Sequence, residues 1–80
     1  MNRVDLKAIV AGVLEIEPDR LDAETELGSI ESFDSVSVLT LMIALDERAG
    51  IRISPSEASA LRVYGDIERA AARQGIALEE

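Results

Sequence analysis

Apolar and polar positions along the chain fall into three helical stretches, one short helical turn and one long interval without any period. Over residues 4–14, Val4, Leu6, Ile9, Val10, Val13 and Leu14 recur on a helical period, with Asp5, Lys7 and Glu15 among them. Asn2 is suited to cap this helix, and Pro18 disfavours helical geometry at Glu17, so the spacing predicts a helix over about 3–15. From 16 to 34 turn and cap residues dominate (Pro18-Asp19, Asp22, Thr25, Gly28-Ser29, Ser32), and Leu21, Leu27, Ile30 and Phe33 recur as isolated apolar anchors. A long loop of this kind inside a small domain signals function or disorder, and the spaced anchors favour an ordered loop pinned to the core.

Residues 35–49 form the strongest helical segment. Val36, Val38, Leu39, Leu41, Met42, Ile43 and Leu45 cover more than one face, so the helix is either buried nearly all round or offers a second apolar face to a partner. Asp46, Glu47 and Arg48 mark its solvated end, and Gly50 is the expected left-handed stop. Ile51-Arg52-Ile53 alternates like a strand, but no second strand exists to pair with it, so it reads as an extended connector with Ile53 inward. Ser54 and Pro55 open a short helix over about 55–61, and a last helix over 64–73 turns Ile67 and Ala70-Ala71 inward. Gly75 ends it, leaving 75–80 as a frayed acidic tail. The expected architecture is all-α: one domain over residues 1–80, a bundle of four helices with a long first loop and a short third helix.

Composition narrows the chemistry. The 80-residue chain has no cysteine and no histidine, which removes disulfides, thiolate metal sites and the usual general base. No catalytic residue and no metal site is therefore assigned. Sixteen acids against eight bases give a formal charge of −8, unsuited to nucleic acid and complementary to basic patches on other proteins. The longest apolar run, Leu41 to Leu45, is too short to span a membrane, and no hydrophobic signal core follows Met1. A cytoplasmic monomer is expected.

Asp34-Ser35-Val36 opens the most apolar helix directly after the long loop. Taken alone, the pair is an ordinary N-cap followed by a first-turn serine. The wider register changes its meaning. Leu27-Gly28, Phe33-Asp34-Ser35-Val36, Leu39, Leu41-Met42, Ala44-Leu45-Asp46-Glu47 and Gly50-Ile51-Arg52-Ile53 together resemble the core signature of the acyl carrier proteins. In that family an Asp-Ser-Leu motif precedes a helix ending in Ala-Leu-Glu-Glu, and the spacing from Ser35 to Ala44 matches without a gap. Val63-Tyr64-Gly65-Asp66-Ile67 is similar to the family's Thr-Val-Gly-Asp-Leu segment, so the resemblance covers essentially the whole chain.

The resemblance implies a stand-alone, non-catalytic carrier with the family's four-helix fold. Its cofactor would be 4′-phosphopantetheine, attached to Ser35 from coenzyme A by a phosphopantetheinyl transferase, with Asp34 as motif residue and helix cap. Ser32, followed by Phe33, is the rival attachment point, but choosing it loses the match at Ala44-Leu45. The thiol of the arm would carry cargo as a thioester to activating ligases and to downstream transferases or synthases with basic docking patches. Asp46 and Glu47 fall where the family places partner-facing acids, and Val36, Leu39 and Ile43 where it places an apolar contact stripe. Solvated surface charge remains the plainer reading of the acids, and core packing of the three apolar residues.

Departures from the family pattern point away from general fatty acid synthesis. Ser37 and Thr40 stand where acids are usual, Ala49 replaces a bulky aromatic, and Val63 replaces a capping Thr. The segment from Gly28 to Asp34 is longer than in fatty-acid-type carriers. A specialised pathway with acyl cargo is expected. An aminoacyl or peptidyl carrier is the alternative, and a helical interaction module without a prosthetic group stands behind both.

Overall fold

In the computed structural model, which describes residues 1–79, four helices follow one another along the chain. They are α1 (Arg3–Leu14), α2 (Ser35–Ala44), α3 (Pro55–Ser59) and α4 (Tyr64–Arg73). The side chains of Asn2, Asp34 and Ser54 accept backbone N–H groups at the starts of α1, α2 and α3. α1 lies against α2, and Leu6, Val10, Leu14, Leu41, Leu45, Tyr64 and Ile67 form the heart of the core. Fully burying each such aliphatic side chain stabilises the fold by roughly 1.5–3 kcal/mol.

The stretch from 16 to 34 is broken by two short 3₁₀ turns, Pro18–Arg20 and Leu27–Ser29. Leu21, Leu27 and Ile30 are buried and Phe33 partly so. Residues 23–27 are also sewn to the entry of α4: Leu27 N–H donates to Arg62 O at 2.9 Å, Tyr64 N–H to Thr25 O at 2.9 Å and Gly65 N–H to Ala23 O at 3.0 Å. No sequence pattern announces this seam, because it joins two segments that each look like loop.

Three expectations need correction. The α-helical pattern of the second helix stops at Ala44, and Leu45–Ala49 continue as one turn of π-helix before Gly50 reverses the chain at φ 68°. α3 ends at Ser59, with Ala60 and Leu61 in tighter i→i+3 bonds to Glu57 and Ala58. The tail is not frayed over 75–79. Glu79 N–H donates to Met1 O at 2.9 Å, Arg3 N–H donates to Glu79 O, the Met1 ammonium donates to Ala77 O, and Ile76 and Leu78 pack on the core. Only residue 80 lies outside the described residues.

Val63 supplies no side-chain cap for α4, as its chemistry requires, but Asp66 reaches back to do the work. Its Oδ2 accepts Arg62 N–H at 2.9 Å and Val63 N–H at 3.1 Å. These bonds, with help from the Arg69 guanidinium, hold the Asp66 carboxyl down to about 2 from its ordinary 3.8. A depressed carboxyl stabilises the fold above its unfolded pKa, and that contribution fades as pH falls from about 4 toward 2. Asp66→Ala should therefore melt below the parent protein at pH 7, with the deficit shrinking across that acid range in thermal unfolding followed by circular dichroism.

Candidate functional site

The loop delivers the chain to α2 through Ile30, whose burial fixes the approach, and Asp34 starts the helix. Asp34 Oδ1 accepts Ser37 N–H at 2.8 Å while Ser37 Oγ accepts Asp34 N–H at 2.8 Å, so the two residues cap the helix reciprocally. Ser35, the first helical residue, is exposed. Its hydroxyl is the only serine or threonine hydroxyl among the described residues without a hydrogen-bond partner. Ser32, the rival, is partly buried and donates its hydroxyl to Leu14 O, so it is less accessible than Ser35.

A phosphodiester on Ser35 Oγ would sit at the start of a ten-residue helix, close to unpaired N–H groups and the positive end of the helix dipole. The residues present therefore fit a phosphate-linked prosthetic group. Beside Ser35 a cleft of about 360 Å³ opens between α2 and α3, walled by Phe33, Val38, Leu39, Met42, Pro55 and Leu61. Its walls are chiefly apolar, and the Ser59 hydroxyl on its rim is spent on Pro55 O, so it offers hydrophobic contact rather than polar recognition.

Val36, Leu39 and Ile43 are 71%, 58% and 52% exposed, which rules out plain core packing for all three. They form an open apolar stripe along α2 beginning next to Ser35. Asp46 and Glu47 are exposed at the far end of the helix, where the π turn sets their direction. Asp46 pairs with Arg52 at 3.7 Å, so its charge is partly offset, whereas Glu47 stands without an ion pair among the described residues. Arg52 is itself held by Gln74, whose Oε1 accepts Arg52 N–H at 2.9 Å and whose Nε2 donates to Arg52 O at 2.6 Å.

Two groups escaped sequence reasoning, Glu15 beside α2 and Tyr64 in the core at the entry of α4. Glu15 terminates α1 in the left-handed region, at φ 58° and ψ 43°, and its side chain borders the groove on the α1 side of α2. The only sequence signal was its position between a helix and Pro18. Tyr64 is wholly buried, and its hydroxyl lacks a hydrogen-bond partner. Burial, reinforced by the nearby Glu68 carboxylate, pushes its phenol up, so it remains protonated at any physiological pH.

Ser35 is thus an exposed, unpartnered serine at the head of the most apolar helix, and among the described residues no group of side chains could hold a metal ion and no helix is long and apolar enough to cross a membrane. The sequence profile of the phosphopantetheine attachment site matches residues 4–71. The chain is 31% identical over 65 residues to the acyl carrier protein of Wolinella succinogenes, covering 81% of this chain and 86% of the relative. It is 32% identical over 62 residues to the acyl carrier protein of Thermosynechococcus vestitus, covering 78% and 76%, and 33% identical over 63 residues to that of Campylobacter jejuni subsp. doylei, covering 79% and 82%. The chain belongs to the acyl carrier protein family. It is a non-catalytic carrier, and its prosthetic group is covalently attached 4′-phosphopantetheine.

Proposed function

We propose that Ser35 bears the phosphopantetheine arm and that the chain, a single carrier domain over residues 1–80, holds acyl intermediates as thioesters for enzymes of a specialised biosynthetic pathway. The free Ser35 hydroxyl carries this reading, since it is accessible, unpaired and placed at a helix N-terminus. The arm supplies the thiol that this cysteine-free chain lacks. The chain's own residues then have three tasks. Asp34 fixes the helix start, Val36, Leu39 and Ile43 meet partner enzymes, and Asp46 and Glu47 add charge at the far end of the same face.

The apolar cleft beside Ser35 favours acyl cargo, because it has room and chiefly hydrophobic walls and holds no carboxylate for an ammonium. Ser37 and Thr40, neutral where acids are usual in the family, favour a dedicated partner set over general fatty acid synthesis. The same neutrality supports the alternative of an aminoacyl or peptidyl carrier. Expected partners are a phosphopantetheinyl transferase, an activating ligase and a downstream transferase or synthase, all meeting a monomeric carrier in the cytoplasm.

Incubation with coenzyme A and a promiscuous phosphopantetheinyl transferase is expected to add one arm, with peptide mapping locating it on the fragment containing Ser35. Subsequent loading by acyl-activating but not aminoacyl-activating enzymes, read by intact mass, is the expected outcome. Preferential aminoacyl loading would transfer the assignment to the alternative carrier class.

A further inference from the structure

We propose that the groove over the outer face of α4 receives an extended peptide segment of a partner protein, which pairs with the backbone edge at Leu78 and sets an acidic side chain on Arg69. The surface is separate from Ser35 and does not depend on where the arm is attached.

After α4 the chain turns at Gly75, where φ is 79°, and its next residues lie alongside residues 1–3. Glu79 spends both backbone groups on that side, accepting Arg3 N–H and donating to Met1 O, and Ala77 O accepts the Met1 ammonium. Neighbouring residues of an extended chain direct their backbone groups to opposite edges, so the N–H and C=O of Leu78 turn away from Asn2. Neither has a partner among the described residues. Natural sheets blunt a free edge with charged side chains or proline. Ile76-Ala77-Leu78 carries neither.

Ile76 and Leu78 line a groove of about 660 Å³, well within the range of a binding site. Its floor is one face of α4, where Gly65, Glu68, Arg69 and Ala72 recur at helical spacings of three and four residues. Gly65 and Ala72 keep that floor low, which lets a second backbone come close. Charge then selects the occupant. Arg3 and Arg69 share the groove with a single carboxylate, Glu68, and Arg3 donates to that carboxylate at 3.1 and 3.2 Å. Arg69 gives one N–H to Asp66 and keeps its other guanidinium N–H groups unbonded among the described residues. By contrast, the cleft at Ser35 holds no charged side chain, and the groove on the α1 side of α2 holds only acids. In a chain of net charge −8, the α4 groove is a local excess of positive charge that suits a carboxylate. The unpaired N–H and C=O at Leu78 suit a peptide backbone, and together the two features describe an extended acidic segment.

The groove also lies far from the attachment end of the molecule. Arg3 stands at the head of α1, whereas Ser32 and the loop leading to Ser35 meet the other end of α1 at Leu14. Twelve helical residues separate the two ends by roughly 18 Å. A partner held over α4 leaves Ser35 and the apolar stripe of α2 uncovered, so it stays bound while the carrier meets other enzymes and keeps its own catalytic site at high local concentration.

The test titrates the isotope-labelled protein with acetyl-Thr-Val-Glu-Val-Thr-amide, followed by nuclear magnetic resonance, with the same peptide carrying Gln for Glu as comparison. Saturable shifts are expected over residues 65–78 with a dissociation constant of about 1 mM, together with slower hydrogen exchange at the Leu78 amide and weaker binding of the Gln peptide. Arg69→Gln should weaken the acidic peptide about fivefold, the size of one exposed charge contact. Ala72→Glu, at an exposed position on the groove floor, should weaken it by about tenfold or more. Ala8→Glu places the same charge on an exposed position of α1 outside the groove and should stay within about twofold of the parent. No saturable shift at about ten times the expected dissociation constant would overturn the inference. Equal binding of the two peptides, or an equal loss in Ala8→Glu, would overturn the role of Arg69 and of the groove's charge. Protection of the Leu78 amide that rises with protein concentration in the absence of peptide would assign the edge to a second copy of the chain and overturn the partner segment.

Discussion

Gly65→Ala is expected to destabilise the domain by about 1–3 kcal/mol, a large share of what an 80-residue chain can muster. A Cβ at residue 65 would stand 2.7 Å from Ala23 O and 3.3 Å from both Ala23 Cα and Cβ. The same Ala23 carbonyl accepts the Gly65 N–H at 3.0 Å, so backing away from the new methyl group loosens the bond that holds the seam. Tyr64 and Leu27 donate across the same seam, and displacement of Ala23 strains both. Each kcal/mol lowers the melting temperature by about 4–8 °C for a domain of this size. Gly28→Ala is the matched control: nothing lies within 4 Å of its added Cβ, and its urea midpoint should stay close to that of the parent. A Gly65→Ala midpoint equal to that of Gly28→Ala would show that the seam is slack.

Ser35→Ala and Ser32→Ala should separate attachment from folding in opposite directions. Ser35 is exposed and its hydroxyl unbonded, so its replacement is expected to leave the melting curve in place and reduce arm transfer below detection by intact mass. Ser32 donates to Leu14 O at the end of α1, and its loss orphans a carbonyl near the core. Ser32→Ala should cost about 1 kcal/mol of stability while arm transfer continues on Ser35. Transfer to Ser35→Ala at the parental rate would move the attachment point elsewhere in the chain.

Features that depend on one residue's own chemistry were legible before any coordinates. Asn2, Asp34 and Ser54 cap helices because short oxygen-bearing side chains suit that position, and Pro18, Gly50 and Pro55 set boundaries through their backbone limits. The role proposed for Ser35 rests on combination, since its register with Ala44 and Leu45 is what distinguishes it from an ordinary first-turn serine. Features that depend on distant partners were not. The seam of residues 23–27 with 62–65, the docking of 76–79 on Met1 and Arg3, and the grip of Gln74 on Arg52 join segments whose local sequence favours nothing in particular. Val63 showed the limit from the other side. Its sequence correctly denied a cap at its own position, but the capping acid stood three residues onward at Asp66.

The seam also shapes how the molecule breathes. Because residues 23–27 and 62–65 are fastened together, the chain from 28 to 61 is closed on itself at that seam. Helices α2 and α3 thus belong to one lobe, which packs on α1 through α2 and is tied to α4 by the Arg73–Glu57 ion pair at 3.8 Å. Within the lobe α3 is the lightest wall, five residues long with Ala58 as its only buried side chain, and Gln74 clamps the connector just upstream at Arg52. Outward movement of α3 would require release of Ala58 from the core and of Glu57 from Arg73, and would leave the seam fastened. On the attachment proposed at Ser35, the width of the cleft beside it would then be adjustable from α3 without disturbing α2.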